Sequence, residues 1–257
     1  MPELILWTAP RPIDGFTQML EMLRAHLADH TRVNEAPSDL RSWTLVLTPD
    51  QMTFQLEQAL FQNDRPGSLS LHVYSFKRLA WRVFQMLGGS DHPPLTSLGQ
   101  TLLVARALHL HGEKLSTLNR SLKTRGLLEK VNRMIKELRY YGLEPDVLLN
   151  IRRDLSEGTL DDMFKQNFVH KLDDLHRVYQ DVHTFIEAMY LDQVSTLRLL
   201  AEKIPEYVAH RNVDVFVLGF SNFSPEERSV LASLLKHARR VHVLLNGIST
   251  EQVYPDV

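Results

Sequence analysis

Cysteine is absent from the 257-residue sequence. Without thiolates, these residues form no disulfide, hold no thiolate-bound metal and ligate no iron–sulfur cluster through cysteine. A reducing cytoplasm is compatible with this composition, and so are other compartments. The absence therefore excludes whole classes of site without naming a location.

Long apolar runs and a secretory leader are also missing from the pattern. No stretch of about 18 consecutive apolar residues occurs, so the sequence predicts no membrane-spanning helix and no membrane partner. The N-terminus has no cationic start followed by an apolar segment, so no secretory signal is predicted. Apolar residues make up 44% and charged residues 23% of the chain, which is typical of a globular protein.

A phosphate-binding loop is also missing from the first strand–helix junction, where many α/β proteins hold a phosphate. This junction is "LILWTAPRPIDGFTQMLEML" at 4–23. This segment predicts a strand, a turn and a helix. A nucleoside triphosphate there needs converging glycine amides and a Gly-Lys-Ser/Thr sequence at the helix start. Pro10 and Pro12 lack amide hydrogens, and only Gly15 and Thr17 are of the required types. The sequence predicts that this junction binds no nucleotide.

What the chain does contain is a series of short apolar runs rich in β-forming residues. A helix signal, not a hairpin turn, follows each of the first four. Thr48 and Ser224 are of capping residue types, each followed by proline at the first helical position and by Gln51 or Glu227 three residues after the cap, which predicts two capped helix starts. Strands that alternate with capped helices favour an α/β fold, a parallel sheet covered by helices. The five runs lie at 4–7, 44–48, 69–75, 214–220 and 241–247.

The strand signal disappears between about 94 and 206. Apolar residues there recur at helical spacing in two stripes, the longer of them predicting a buried helix face. We therefore expect an α/β domain in two parts, 1–93 and 207–257, interrupted by an all-helical insertion domain at 94–206. The whole resembles the front part of a longer protein. The stripes are Leu128, Val131, Ile135 and Leu138, then Phe168, Leu172, Leu175, Tyr179, Val182, Ile186 and Met189.

Basic residues are unevenly distributed although the formal net charge is only −2. Between Lys114 and Arg139 there are eight basic residues against two acidic ones. Clustered Lys and Arg follow a phosphate backbone even in a nearly neutral chain. The alternative, a solvated helix face, is equally compatible with the pattern.

Two long segments identify a family resemblance. "LTPDQMTFQLEQAL" (47–60) and "VYSFKRLAWRVFQMLGG" (73–89) strongly resemble the N-terminal helicase-like domain of AddB, also called RexB. "LGFSNFSPEERSVL" (218–231) resembles that family's remnant of a second helicase motif, and "KELRYYGLEP" (136–145) adds weaker support. The resemblance covers essentially the whole chain.

The resemblance implies a superfamily 1 helicase-like, P-loop-type fold with a degenerate nucleotide site. It implies a bacterial, cytoplasmic role in double-strand break repair and homologous recombination, beside an AddA (RexA) motor subunit. In this family the domain scans single-stranded DNA and recognises the Chi sequence without catalysis of its own. No cofactor is expected in this segment. ATP and magnesium belong to the motor, and the iron–sulfur cluster and nuclease belong to a C-terminal region absent here.

By the same resemblance, the Chi-reading positions fall on a set of polar and aromatic residues near two strand ends. Aromatic rings there would stack on bases, and Arg78 would contact a guanine edge. Lys77, Arg82, Lys123, Arg125, Lys130 and Arg133 are possible phosphate contacts. The DNA- and Chi-binding set is Gln51, Thr53, Phe76, Arg78, Trp81 and Phe220, the last favoured over Phe223.

Each of these residues also has a structural interpretation. Gln51 fits a capping box, and Phe76 fits a core position. On residue pattern alone Trp81 is favoured as a core residue, because Leu79 and Val83 form a buried stripe beside it. The family resemblance reverses that preference.

Two alternatives to the DNA-binding function stay open. One is a protein-docking scaffold for the motor subunit that touches DNA little. The other is a residual NTPase with an unorthodox phosphate site. A strong salt dependence of DNA binding would favour DNA contact over the scaffold.

Overall fold

The computed structural model describes residues 3–9, 12–33, 42–61, 70–89, 91–119, 125–157 and 162–246. They divide into two compact units. The α/β unit comprises Met1–Gly89 and Leu197–Val257, and the helical unit comprises Ser90–Thr196. The second division lies within a helix that runs through Pro205, so the proline does not mark the boundary expected near 206.

Five strands form one sheet in the α/β unit, and every neighbouring pair is parallel. Their order across the sheet is β1-β5-β4-β2-β3. The predicted parallel sheet is confirmed, and the last three residues of the 214–220 run leave the strand. Gly219 has φ 85°, which turns the chain out of the sheet. The strands are β1 (Glu3–Ala9), β2 (Ser42–Leu47), β3 (Leu71–Tyr74), β4 (Asn212–Val217) and β5 (Arg240–Asn246).

Nine α-helices occur in the described residues. Five of them, α1–α3, α8 and α9, contribute buried residues to the α/β unit, and α4–α7 belong to the helical unit. The helices are α1 (Pro12–Val33), α2 (Thr53–Phe61), α3 (Phe76–Leu87), α4 (Ser97–Leu110), α5 (Arg125–Tyr140), α6 (Asp146–Glu157), α7 (Asp162–Met189), α8 (Gln193–Val208) and α9 (Pro225–His237).

The two faces of the sheet are covered by different helices. Leu23 of α1 and Leu56 of α2 pack on one face, together with Phe216 of β4. Leu79 of α3, Leu200 of α8 and Leu234 of α9 pack on the other. Burial of these fully enclosed side chains stabilises the fold by about 1.5–3 kcal/mol each.

The connections reverse direction between β2 and β4. The helix after β2 covers the first face and leads outward to β3, whereas the helix after β4 covers the second face and leads toward β5. Open parallel sheets bind ligands outside the carboxyl ends of strands at such a switch point. The chain's own topology therefore selects the crevice between these two strand ends as the candidate site.

Of the two predicted capped helix starts, one is confirmed and one is wrong. Ser224 accepts from the Glu227 amide at 3.1 Å while the Glu227 carboxylate accepts from the Ser224 amide at 2.8 Å, a complete capping box. Thr48 makes no cap, because it is fully buried and its amide donates to the Tyr74 carbonyl at 3.0 Å. The chain instead enters α2 through a 3₁₀ turn, Asp50–Met52.

The helical unit is built around α7, which packs against α4 and α6. The middle of the longer predicted stripe is core, with Tyr179 1% exposed and Ile186 0% exposed. Its two ends are not core: Phe168 and Met189 are 48% and 53% exposed. Within this unit only the middle of the stripe is fully covered, and its two ends are about half exposed.

No helix within the described ranges is both long and apolar enough to cross a membrane.

Candidate nucleic-acid interface

The carboxyl ends of β3, β2 and β4 lie side by side at the switch point. The Thr48 amide donates to the Tyr74 carbonyl at 3.0 Å, and the Leu218 amide donates to the Leu47 carbonyl at 3.0 Å. These bonds continue the sheet one residue beyond the strands. The loops that follow are therefore held at fixed spacing, and they carry the three motifs that resemble AddB.

Gly219 allows two of these loops to touch. A Cβ at this position would lie 2.6 Å from the Met52 sulfur and 3.2 Å from Pro49 Cδ, so no larger residue fits without a shift. The positive φ of 85° is a second reason for glycine. The loop after β4 thereby packs directly on the turn that carries Gln51.

An aromatic cluster packs beneath the surface of the site. Phe76 is 4% exposed, and its ring centroid is 5.3 Å from that of Phe220, which lies 5.1 Å from Phe223. Thr53 is 1% exposed, and its hydroxyl donates to the Asp50 carbonyl at 3.0 Å. The structure does not bring Phe76 or Thr53 to the surface, because both complete packing or hydrogen bonding beneath it.

The outer face of α3 presents the exposed members of the predicted set. Ser75 caps this helix by accepting from the Arg78 amide at 3.3 Å. Lys77 and Arg78 in the first turn are exposed, and Trp81 is 63% exposed. The core assignment that the residue pattern favours for Trp81 is therefore wrong, because the buried arc of α3 runs through Leu79 and Val83 and leaves the indole outside.

Two exposed residues at this edge were missed by the sequence reasoning. Phe54 is 71% exposed in the first turn of α2, close in sequence to the exposed Gln51. Gln85 is exposed one turn beyond Trp81 on α3. The available signal for Phe54 was its place off the Leu56 stripe, which alone faces the core.

Arg82 points elsewhere than its neighbours on α3. Its positive charge acts on the hydroxyl of Tyr207, a buried residue of α8, and partly opposes the effect of burial on the pKa of that hydroxyl. Burial raises the pKa of Tyr207 to about 12, so this hydroxyl stays protonated. Burial also lowers the pKa of nearby His72, with the positive charges of Arg82 and Arg211 adding to the effect. A phosphate contact by Arg82 stays a prediction, and the structure gives this side chain a structural partner.

The predicted phosphate contacts of the insertion are only partly described. Lys130 and Arg133 lie exposed on α5. Lys123 and the side chain of Arg125 lie outside the described residues. No cluster of metal-ligating side chains occurs in the portion of the chain that the structure covers. Pro10 and the side chain of Pro12, at the first strand–helix junction, also lie outside it.

Comparison with known proteins now decides the family. The family model described as "ADDB, N-terminal" matches residues 30–254. The chain belongs to the AddB N-terminal family. The resemblance carried by the three loop motifs at the switch point is thereby confirmed.

Curated relatives carry a matching description, the B subunit of an ATP-dependent helicase/deoxyribonuclease. The chain is 36% identical over 200 residues to the relative from Bacillus licheniformis, covering 77% of this chain and 17% of the relative. It is 35% identical over 199 residues to the protein of that name in Bacillus subtilis, covering 77% of this chain and 17% of the relative. The match to the Geobacillus thermodenitrificans protein is 33% over 233 residues, 90% of this chain and 19% of the relative. The chain thus spans less than a fifth of the length of these relatives.

Proposed function

We propose that this chain is the single-stranded-DNA-binding and Chi-recognising part of an AddAB-type helicase–nuclease, working in double-strand break repair. The observation that supports it most is the exposed row of Lys77, Arg78 and Trp81 on α3, beside the carboxyl end of the sheet. Cations hold phosphates and an aromatic face stacks on bases, which is how single strands are bound. The name of its relatives, which describes a helicase/deoxyribonuclease, favours DNA as the ligand.

The exposed residues would make the contacts and the buried ones would hold them in place. Trp81 stacks on a base, Arg78 contacts a guanine edge or a phosphate, and Gln51 reads a base through its amide. Thr53, Phe76 and Phe220 fix the two loops and the start of α3 beneath. ATP hydrolysis and magnesium binding are assigned to the AddA-type partner, and the nuclease to regions beyond this chain.

Fluorescence anisotropy of labelled single-stranded DNA tests this proposal. The intact chain is compared with Arg78→Ala and with Lys236→Ala, which removes an exposed cation from the C-terminal end of α9. Arg78→Ala is expected to weaken binding by about 1–3 kcal/mol if it contacts a base edge. The log–log salt slope should fall by about 0.7 if it contacts a phosphate. Equal binding by all three proteins would contradict the proposal.

Trp81→Ala tests whether the indole stacks on a base. Because the side chain is largely exposed, a loss of binding can be separated from a loss of folding. Removal of a side chain that is 63% exposed should leave the circular dichroism and melting temperature nearly unchanged, while binding weakens by about 1–3 kcal/mol. Phe76→Ala is unsuitable, because loss of a buried phenylalanine costs about 3–5 kcal/mol of stability. Sequence preference is then measured by selecting bound oligonucleotides from a random pool; Arg78→Ala should flatten that preference.

A docking scaffold for the motor subunit is the second candidate, and one observation favours it. Leu4 and Leu6 of the edge strand β1 are 48% and 50% exposed, on a strand with one paired side. Exposed apolar edge strands are ready to pair with another chain. Loss of motor-subunit binding by Leu4→Lys with unchanged DNA binding would identify this edge as the docking surface.

A further inference from the structure

The outward side of α5 combines cations with two tyrosines. Arg133 and Lys136 are exposed, and they precede Tyr140 by seven and four residues, which places all three along one side of the helix. Lys130 and Tyr141 flank them on the same exposed arc. We call these five residues the α5 face. The buried residues of the helix, Val131 and Ile135, lie on the opposite side.

Backbone hydrogen bonds fix the end of α5 that carries the tyrosines. The Gly142 amide donates to the Arg139 carbonyl at 2.9 Å, and the Leu143 amide donates to the Leu138 carbonyl at 2.9 Å. With φ 67° at Gly142, this is the Schellman arrangement that ends a helix. The Tyr179 hydroxyl also donates to the Leu143 carbonyl at 2.6 Å, which ties the turn to α7.

Arg139 anchors the same turn from its buried side. Its Nε donates to Asp192 at 2.8 Å, one terminal nitrogen donates to Glu187 at 3.0 Å, and the other lies 2.8 Å from Nδ1 of His183. The guanidinium is 5% exposed, so these bonds are shielded from water. The backbone that presents Tyr140 is therefore held from behind by α7 and by the residue that precedes α8.

The tyrosines themselves remain open to solvent. Tyr140 is 37% and Tyr141 60% exposed, and their rings meet edge to face with centroids 5.3 Å apart. A rigidly mounted ring loses little conformational entropy when a partner stacks on it. Tyrosine also keeps a polar end for water or a phosphate.

The charges on this surface favour a polyanion. The α5 face carries three cations, and the neighbouring Glu129 and Glu137 reduce its net positive charge to one. Arg133 lies on the same side of the helix as the tyrosines and precedes them by about 11 Å along the axis, so a strand that follows α5 would meet the cation and then the rings. Cations interleaved with aromatic faces are typical of single-strand-binding surfaces.

We propose that the α5 face is a second single-stranded-DNA contact of this chain, in which Tyr141 stacks on a base while Arg133 and Lys136 hold the adjoining phosphates. This rests on the proposed function in that the ligand is the same single strand. It adds a site in the helical unit that is built independently of the residues on α3.

Photocrosslinking locates the contact directly. The intact 257-residue chain is irradiated with a single-stranded oligonucleotide containing 5-iododeoxyuridine, which crosslinks to aromatic side chains at contact distance, and the adducts are assigned by mass spectrometry. An adduct on Tyr141 or Tyr140 is expected. Adducts confined to the α/β unit, or none on the chain at all, would overturn the proposal.

Affinity measurements separate stacking from simple charge. Tyr141→Ala should weaken single-strand binding by about 5-fold or more, and Tyr141→Phe should restore it, since the ring does the stacking. Leu102→Ala is the matched control, because Leu102 of α4 is also 60% exposed but carries no ring. An oligonucleotide of abasic sites should bind the parent and Tyr141→Ala equally. Glu137→Gln should tighten binding, and an unchanged affinity in Tyr141→Ala would contradict the proposal.

The two DNA proposals fail in distinguishable ways. Adducts on Trp81 without any on the tyrosines would remove the α5 face and leave the proposed function. Adducts on Tyr141 that persist in an Arg78→Ala, Trp81→Ala protein with no loss of affinity would remove the α3 contact and leave this one. Loss of motor-subunit binding by Tyr141→Ala, with DNA binding intact, would show a protein interface and overturn the α5 proposal.

Discussion

Two buried ionisable groups, one in each unit of this protein, are held in different charge states. In the α/β unit His242 stacks on Phe216 with ring centroids 4.4 Å apart, and burial lowers the pKa of this histidine. In the helical unit Arg139 is buried among carboxylates that hold it charged. Apolar packing keeps a titratable group neutral, whereas fixed counter-charges keep it ionised.

The difference indicates which interactions stabilise each unit and which substitutions should destabilise it. The α/β unit depends on apolar side chains and on the close approach of its loops. Each unit also contains a buried charge with partners. In the α/β unit it is a carboxylate, Asp214, paired with Arg239. In the helical unit it is the Arg139 guanidinium, whose carboxylate partners are far apart from it in sequence. Three changes test this contrast, and all three tryptophans, Trp7, Trp43 and Trp81, lie in the α/β unit, so tryptophan fluorescence reports on that unit alone.

Removal of the buried cation should have the largest effect. Arg139→Met leaves Asp192 and Glu187 without their partner, which is expected to cost the helical unit about 3–5 kcal/mol. Hydrogen exchange should show lost protection in α5 and α7, while the sheet keeps its protection and tryptophan fluorescence its native spectrum. Arg133→Met is the control, because this exposed arginine of the same helix should change stability by no more than about 0.5 kcal/mol.

Equal loss of protection in β2 and β4 would show that the two units unfold as one. The contrast between them would then be one of composition and not of independent stability.

Glycine substitutions should have the next largest effect; Gly219 and Gly88 probe the α/β unit, and Gly126 probes the helical unit. Gly219→Ala is expected to destabilise by about 2–4 kcal/mol, from a positive φ and from the overlap with Met52. Gly88→Ala has no atom within 4 Å of the added Cβ, but its φ of 79° and ψ of 146° lie in a region that favours glycine, so about 1–3 kcal/mol is expected from the backbone alone. Gly126→Ala, in the first turn of α5, has neither problem and should stabilise slightly.

Urea denaturation followed by tryptophan fluorescence gives the first two values, and circular dichroism gives the third. Identical costs for Gly219→Ala and Gly88→Ala would show that the loop contact with Met52 yields freely. A Met52→Ala background should recover part of the Gly219→Ala loss if the sulfur is the obstacle.

Acidification should give the smallest effect and should separate the units by pH. His72 and His242 have pKa values below 6.5 in the folded state, mainly through burial. Because the unfolded chain binds protons at these histidines more readily than the folded chain does, acid favours unfolding. Their contribution to the free energy of unfolding is fully present above pH 6.5 and decreases as the pH falls below 6.5, by about 1.4 kcal/mol in total for each unit by which folding lowers the pKa.

The Arg139 pair responds at lower pH. Burial by itself would raise the pKa of Asp192, but the hydrogen bond and charge of Arg139 outweigh it and hold that pKa below 3.8. Its contribution is therefore present above pH 3.8 and is lost only below it. Trp7 donates to Nδ1 of His242 at 3.4 Å, so its fluorescence should change as the pH falls below 6.5, before helicity falls. A His242→Phe protein that keeps the same pH profile would contradict this assignment.

Much of the fold could be predicted, because its signals are local. Each strand is a short apolar run. The four residues from Ser224 to Glu227 contain the cap and the proline that together predict the start of α9. The predicted cap at Thr48 was wrong because of a contact between segments distant in sequence. The Thr48 amide donates a hydrogen bond to the Tyr74 carbonyl, which keeps Thr48 in the sheet. The helicase-like details that the family resemblance implies go beyond a parallel sheet and stay predictions.

The candidate site was predicted in part. Motif resemblance selected Gln51, Arg78 and Trp81, which the structure leaves exposed, and also Phe76, which it buries. Helical spacing separates these cases: Phe76, Leu79 and Val83 recur at steps of three and four residues, and Trp81 lies off that stripe. Phe54 likewise lies off the Leu56 stripe of α2, a signal that was not used.

The sequence by itself determined the alternation of strands and helices, the helical insertion and the motifs that identify the family, since these depend on neighbours within a few positions. Only the tertiary structure decided that Arg139 meets carboxylates 53 and 48 positions away. It also decided that Gly219 lies against Met52. Those outcomes arise from packing between segments distant in sequence: helical periodicity indicates which side of a helix is buried, but not which distant segment covers it.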